Sequence, residues 1–312
     1  MKNTNTLFHT VISTYILALF YSCGGIKNVA DVEIITSDID NFWEAYEQYN
    51  ASKNPHFFDT QYIEKGSDGV GGFIKLRIQN GGHLAITIER YPNYYKTIET
   101  TTKGFKSYIP EIKTYLKKFK ELYPSVNFAP IYLVIGAMNA GGTTSNKGII
   151  IGSELYALTD NTNTSELTDW HKNATKRADY LPTIIIHELV HIQQNTLGSI
   201  FRKRTLLSES LKEGSADFIS ELITGTHINK KLHAYANEHK TDLIKEFKSR
   251  FDDKNYKDWF YTPTKDRPND LGYWIGYEIS KAYYDAMEDK NEAIKNLMES
   301  KNPKEILEVS GL

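Results

Sequence analysis

The chain of 312 residues carries 37 Lys and Arg against 39 Asp and Glu, a formal charge of −2, and is 40% hydrophobic and 12% aromatic. These values exclude a collagen, a largely disordered chain and a disulfide-stapled miniprotein, and a chain this long buries a sizeable core. No basic stripe accompanies the 21 Tyr and 14 Phe. They read as core residues rather than base-stacking platforms, and no nucleic-acid partner is expected.

Lys2 and a polar stretch precede an apolar run, Leu7–Phe20, which is too short and too interrupted for a comfortable membrane span. Cys23, the single cysteine, follows Ser22 and precedes Gly24 and Gly25. One cysteine excludes an intramolecular disulfide and any multi-cysteine zinc site. The arrangement resembles a bacterial lipoprotein signal peptide, in which the cysteine becomes the lipidated first residue. Phe20 and Tyr21 depart from that pattern, where Leu and a small residue are usual, and His9 interrupts the apolar run. An ordinary signal or an uncleaved anchor is the competing reading. The resemblance implies a signal peptide over 1–22 and a tether over 23–35, and with no Pro/Ser-rich linker to divide the rest, 36–312 reads as one domain of two lobes. The resemblance also implies an envelope location, with lipid on Cys23 holding the chain to a membrane. The outer membrane is expected, with the chain facing either the periplasm or the outside.

Phe42, Ala45, Tyr46 and Tyr49 recur at helical spacing and predict a helix capped near Ser37. Gly71–Glu99 is ambiguous, with Gly81, Gly82 and Pro92 breaking a helical pattern. Ile112, Tyr115, Leu116, Phe119 and Leu122 predict a further helix. Ala129–Gly136 and Gly148–Gly152 are short apolar runs rich in branched residues, hence strands. The Gly-rich loop Asn139–Lys147 between them suggests a small antiparallel sheet. From about Glu166 to the end the pattern is helical.

His187-Glu188-Leu189-Val190-His191 is an H-E-x-x-H sequence. A chance match in a chain with this many histidines has a probability of roughly two in a hundred, so context must decide. Pro182 suits a first helical turn, and Ile184, Ile185, Ile186, Leu189, Val190 and Ile192 make the helix apolar almost all round, hence buried. Buried imidazoles need partners. At about 3.6 residues per turn, His187 and His191 share one face and can hold one metal ion. Glu188 lies about 100° round and can approach water there without being a ligand.

A catalytic zinc keeps three protein ligands and one open position. Gln194 and Leu197 stand where a metzincin has Gly and His, which excludes that class. Glu213 is the next candidate ligand, on a helix whose apolar face is Leu207, Leu211, Phe218 and Leu222. Asp217 shares its side of that helix, and Glu209 and Glu221 read as solvated. Gly214 beside it costs about 1 kcal/mol in a helix interior relative to Ala, which suits the close approach of another backbone, as beside a metal helix. His227 is a fallback ligand. His56, His83 and His171 have no partner pattern.

H-E-x-x-H followed about twenty residues later by E-x-x-x-D resembles the gluzincin pattern of thermolysin-type metallopeptidases. His187–Gln194, then Glu213–Phe218, then Gly272–Tyr277 resemble more narrowly the zinc-dependent proteases predicted among bacterial lipoproteins, a layout related to the gliding-motility lipoprotein B family. The resemblance implies an α+β, mostly helical zincin-like fold with a small antiparallel sheet above the active-site helix. It implies Zn2+ on His187, His191 and Glu213, Glu188 as general base, and Asp217 as the carboxylate orienting a ligand His. The family's edge strand, which a peptide substrate extends, falls near Ile149–Gly152. Lys212 stands where thermolysin has Asn.

The expected activity is therefore a metallopeptidase, acting on a peptide or protein substrate. Tyr273 is the favoured donor to the developing oxyanion, with Tyr277, His233 and His239 as alternatives. Two other readings remain: an envelope-machinery lipoprotein retaining a structural zinc site without cleavage, and a metal-free surface lipoprotein that binds peptide or polysaccharide.

Overall fold

The computed structural model describes residues 25–196, 204–260, 267–299 and 302–312. The signal-peptide residues and Cys23 lie outside the described residues.

Aromatic residues at helical spacing build the N-terminal part. α1 (Ser37–Ser52) buries Phe42, Trp43, Tyr46 and Tyr49. Phe42 meets Trp43 edge-on at 5.0 Å and Tyr62 at 5.3 Å, the quadrupole-favoured arrangement. The ambiguous stretch is helical in pieces: α2 (Asp68–Phe73), one π-helical turn, α3 (Gly81–Arg90) and α4 (Pro92–Lys103). Asn80 caps α3 by accepting from the N–H of His83, and Pro92 opens α4, where its missing N–H costs nothing. α5 (Ile109–Leu122) presents Ile112, Leu116 and Phe119 to the core.

The sheet has the order β1-β2-β4-β3, from β1 (Ile34–Ile35), β2 (Ile131–Val134), β3 (Gly142–Ser145) and β4 (Gly148–Gly152). The α+β class holds, but the sheet is mixed. β2 pairs with β4 in parallel, not antiparallel as expected, and only β3 and β4 are antiparallel. The Gly-rich stretch is the reason. It supplies a strand of its own, β3, which runs back and then turns over Asn146 and Lys147 into β4, so β4 regains the direction of β2. β2 and β4 are buried on both faces, as continuous apolar runs should be. Ile149–Gly152 is therefore interior, and the edge strand beside it is β3, with its Gly-Thr-Thr-Ser sequence half-exposed.

The expected tether is largely part of the fold. Ile26 bridges Phe128, Val29 and Val32 are buried, and β1 pairs with β2. Apolar residues in alternation with polar ones let this short segment pack instead of hanging free.

After α6 (Asp169–Ala174) the remainder is helical. α7 (Leu181–Thr196) carries the H-E-x-x-H sequence and lies against β3 and β4. α8 (Leu206–Thr224) starts at a reciprocal cap between Thr205 and Ser208 and ends at Gly225, whose φ of 75° is left-handed. Beyond α9 (Lys230–Glu238) and α10 (Lys240–Arg250), α11 (Leu271–Ala286) packs on α8, and α12 (Lys290–Glu299) and α13 (Pro303–Ser310) close the domain. A Cβ on Gly214 would lie 2.1 Å from the carbonyl carbon of Gly276, and one on Gly276 would lie 1.7 Å from Ser210 O. The backbone that Gly214 admits is thus that of α11, not that of the H-E-x-x-H helix.

Candidate metal centre

Two neighbouring helices converge on one point. From α7 come His187 and His191, one turn apart, with their Nε2 atoms 3.1 Å from each other. From α8 comes Glu213, whose Oε2 is 3.2 Å from Nε2 of His191 and 3.8 Å from Nε2 of His187. All three are buried, and they form a group whose ligand atoms lie within 4.8 Å of one another.

The surroundings decide which ring nitrogens carry hydrogen. Gln194 donates from Nε2 to Lys212 O at 2.9 Å and to Ser215 Oγ at 3.0 Å. Its Oε1 therefore faces His191, and it accepts from Nδ1 at 2.8 Å. The Nε2 of His191 is then a bare lone pair. On His187, Nδ1 lies 2.9 Å from Asp217 Oδ1, close though off the line of an ideal hydrogen bond. Asp217 in turn accepts from Asn229 Nδ2 at 2.6 Å, and Asn229 Oδ1 accepts from Lys176 Nζ at 3.2 Å. Burial pulls the Lys176 ammonium down from its ordinary value, against the pull of Asp217 and Asp270.

Two imidazole lone pairs facing each other beside a carboxylate call for a positive charge between them. The electrostatics of the site point the same way. Burial alone would lower His187, yet Asp217 and Glu213 outweigh it and push the imidazole up to about 10. Burial would raise Glu213, yet His191, His187 and Lys212 hold its carboxyl well below the usual range. Nitrogen and oxygen donors in this number fit a divalent cation such as zinc, and orienting partners behind each imidazole are what metal-ligating histidines have.

The group opens on a cleft of about 250 Å³, lined also by Glu188, Lys212, Tyr273 and the edge residues Gly142, Thr143 and Thr144. A Cβ on Gly142 would lie 2.5 Å from Glu188 Oε1, so glycine there lets the strand sit directly on this carboxylate. Lys212 Nζ is 3.1 Å from Glu213 Oε1, the oxygen turned away from the imidazoles. The Tyr273 ring stacks on His187 with centroids 6.4 Å apart.

The other candidates lie elsewhere. Tyr277 packs among His227, His233 and Phe218, and burial with Glu221 beside it raises its hydroxyl pKa. His233 is buried against His227, and desolvation pushes it down to about 4. His227 Nδ1 faces Glu221 at 2.9 Å rather than the triad. That contact makes Glu221 more than a solvated residue. His239 is exposed and bonds to Tyr235 O. His56 is exposed, His83 bonds to Ile78 O, and His171 spans Thr168 and Met138 O. The sequence pattern marks Gln194 only as a departure from the metzincin class, and it does not mark Asn229 or Lys176. The available signal is an amide three residues past His191 on a helix whose remaining pattern is largely buried.

Fold and site together define an α+β protein with a buried His-His-Glu centre open to solvent on one side. The chain belongs to the family of gliding motility protein GldB (GldB_lipo), whose family model matches residues 27–248, more than two thirds of its length. The match takes in the triad, Glu188 and Asp217 and stops short of α11 and Tyr273. No curated protein and no solved structure matches the chain. Among the described residues no helix is long and apolar enough to cross a membrane.

Proposed function

We propose that this protein is a zinc-dependent peptidase held to the bacterial envelope by lipid on Cys23. The observation that carries the reading is the convergence of three ligand atoms with a further carboxylate, Glu188, in one open cleft. His187, His191 and Glu213 would hold the ion. Zinc, when bound, supplies Lewis acidity that brings water toward ionisation near neutral pH.

The chain's own residues do the rest. Glu188 accepts a proton from the attacking water and passes it to the leaving amine. Tyr273, stacked on His187, donates to the developing oxyanion. The edge of β3 offers an extended peptide its backbone groups, so the substrate adds as a strand beside Glu188. Asp217 and Gln194 keep the two imidazoles turned inward. The anchor reading rests on Cys23 in its signal-peptide context and on membership of a family whose name denotes a lipoprotein.

The family's name favours a second reading, a component of an envelope machine whose metal is structural. Glu188 in the cleft speaks against it, because a structural site needs no base. Digestion of a peptide library by wild type and Glu188→Gln, each with its metal content measured, separates the two. Cleavage by wild type alone, with metal in both, supports the peptidase. Equal cleavage, or none by either protein with metal bound, removes it.

A further inference from the structure

A groove of about 690 Å³ lies away from the metal centre, between α5 and the segment entering the fold. Lys113, Lys117 and Lys120 line it from α5 at positions i, i+4 and i+7, one stripe of a helix. Lys27 lines it from the entering segment, with Val29 and Ala30 as an apolar floor. Lys27, Lys113 and Lys120 donate to neutral oxygens, Lys27 to Ser125 O and Asn127 Oδ1, Lys113 to Val29 O and Val32 O, and Lys120 to Pro124 O. No carboxylate of the described residues forms an ion pair with any of the four, and Glu121 is the acid at the groove's rim. Asp31 and Glu33, exposed on the same segment, do not line it. In a chain of net charge −2, four ammonium groups against the one carboxylate of Glu121 around a single groove are a local positive excess.

Their place in the chain gives this patch a partner. Ile26 is pinned to Phe128, and Lys27 beside it stands only four residues beyond Cys23. A fully extended chain spans at most about 14 Å over that stretch. A lipid on Cys23 therefore leaves little freedom over which face meets the bilayer. We infer that the lysine-lined face of α5 lies against the membrane and that its groove takes the phosphate of an anionic phospholipid headgroup. This rests on the Cys23 anchor proposed above. Each lysine near an anionic bilayer strengthens attachment about fivefold, so the face orients a protein that the lipid alone would merely tether.

The test uses the full chain purified from membranes and reconstituted into vesicles of phosphatidylcholine, with or without phosphatidylglycerol. Amine labelling of each lysine is read by mass spectrometry. On phosphatidylglycerol vesicles, Lys27, Lys113, Lys117 and Lys120 should label several-fold more slowly than on neutral ones, while exposed Lys245 and Lys248 on α10 stay unchanged. High salt should abolish the difference. Lys117→Glu with Lys120→Glu should abolish the protection of Lys27 and Lys113. Equal labelling of the four on both vesicles overturns the inference, and so does protection that inorganic phosphate removes at matched ionic strength. Intact mass reports acyl chains on Cys23 separately. An unacylated chain removes the anchor, and the face is then decided by flotation: binding to anionic but not neutral vesicles keeps it, and binding to neither overturns it.

Discussion

Gln194 accepts from Nδ1 of His191 at 2.8 Å while its amide nitrogen is held by Lys212 O and Ser215 Oγ. A side chain three residues past the second histidine thus sets that histidine's tautomer, and does so from contacts on the opposite helix. α8 supplies both the carboxylate of the triad and the groups that hold the amide orienting the other helix's imidazole. Gln194→Met keeps the volume but leaves the His191 N–H without its acceptor. Zinc affinity, read by competition with a chromophoric chelator, should fall about 10- to 100-fold, with a stability loss of about 1–3 kcal/mol. An unchanged affinity would mean that the ring is oriented by something other than this amide.

Tyr273 differs from the ligands in having no part in holding metal. Tyr273→Phe keeps the ring stacked on His187 and removes only the hydroxyl. A kcat on a cleaved peptide lower by about 10²–10³ with zinc content unchanged is expected of an oxyanion donor. An unchanged kcat would assign the ring to packing alone.

Much of this site is legible in the sequence for one physical reason. H-E-x-x-H places both imidazoles on one helix face by local geometry, without reference to the rest of the chain. Glu213 is legible more weakly, since its contact with them depends on how α8 lies on α7. Asn229 and Lys176 are illegible, because a chain of hydrogen bonds across a loop leaves no periodic trace. The same division explains the sheet. Ile149–Gly152 reads correctly as a strand, but its interior place in the sheet and its partner's direction depend on a third strand hidden in a Gly-Thr-rich stretch. The close approach signalled by Gly214 is real, whereas its partner, α11, could not be named from α8 alone.

That approach is itself a test of the packing. Gly276→Ala would set a methyl group 1.7 Å from Ser210 O, a main-chain atom that cannot swing aside. Calorimetry should show a destabilisation of about 1–3 kcal/mol or more. A melting temperature equal to wild type would show that α8 and α11 pack less closely.

Glu154 gives the fold a pH dependence apart from the metal centre. It is fully buried, accepting from the N–H groups of Gly136 and Met138 at 2.8 and 3.2 Å, in the connection that leads to β3. Desolvation outweighs those bonds and pushes its carboxyl up to about 7, from 4.5. A carboxyl raised by folding contributes most below its unfolded pKa, and that contribution is lost as pH rises through the folded one. Chemical denaturation should show wild type losing stability relative to Glu154→Gln between about pH 4.5 and pH 7. Parallel curves for the two proteins would contradict the shift.

The most direct measurement is the zinc bound per chain in wild type and in Glu213→Ala, by elemental analysis after dialysis against a fixed free zinc concentration. One ion per wild-type chain, and affinity lost by orders of magnitude in the variant while its circular dichroism stays native, is the predicted result. A wild-type chain that binds no zinc, or a variant that binds it as tightly as wild type, would contradict a centre built from His187, His191 and Glu213.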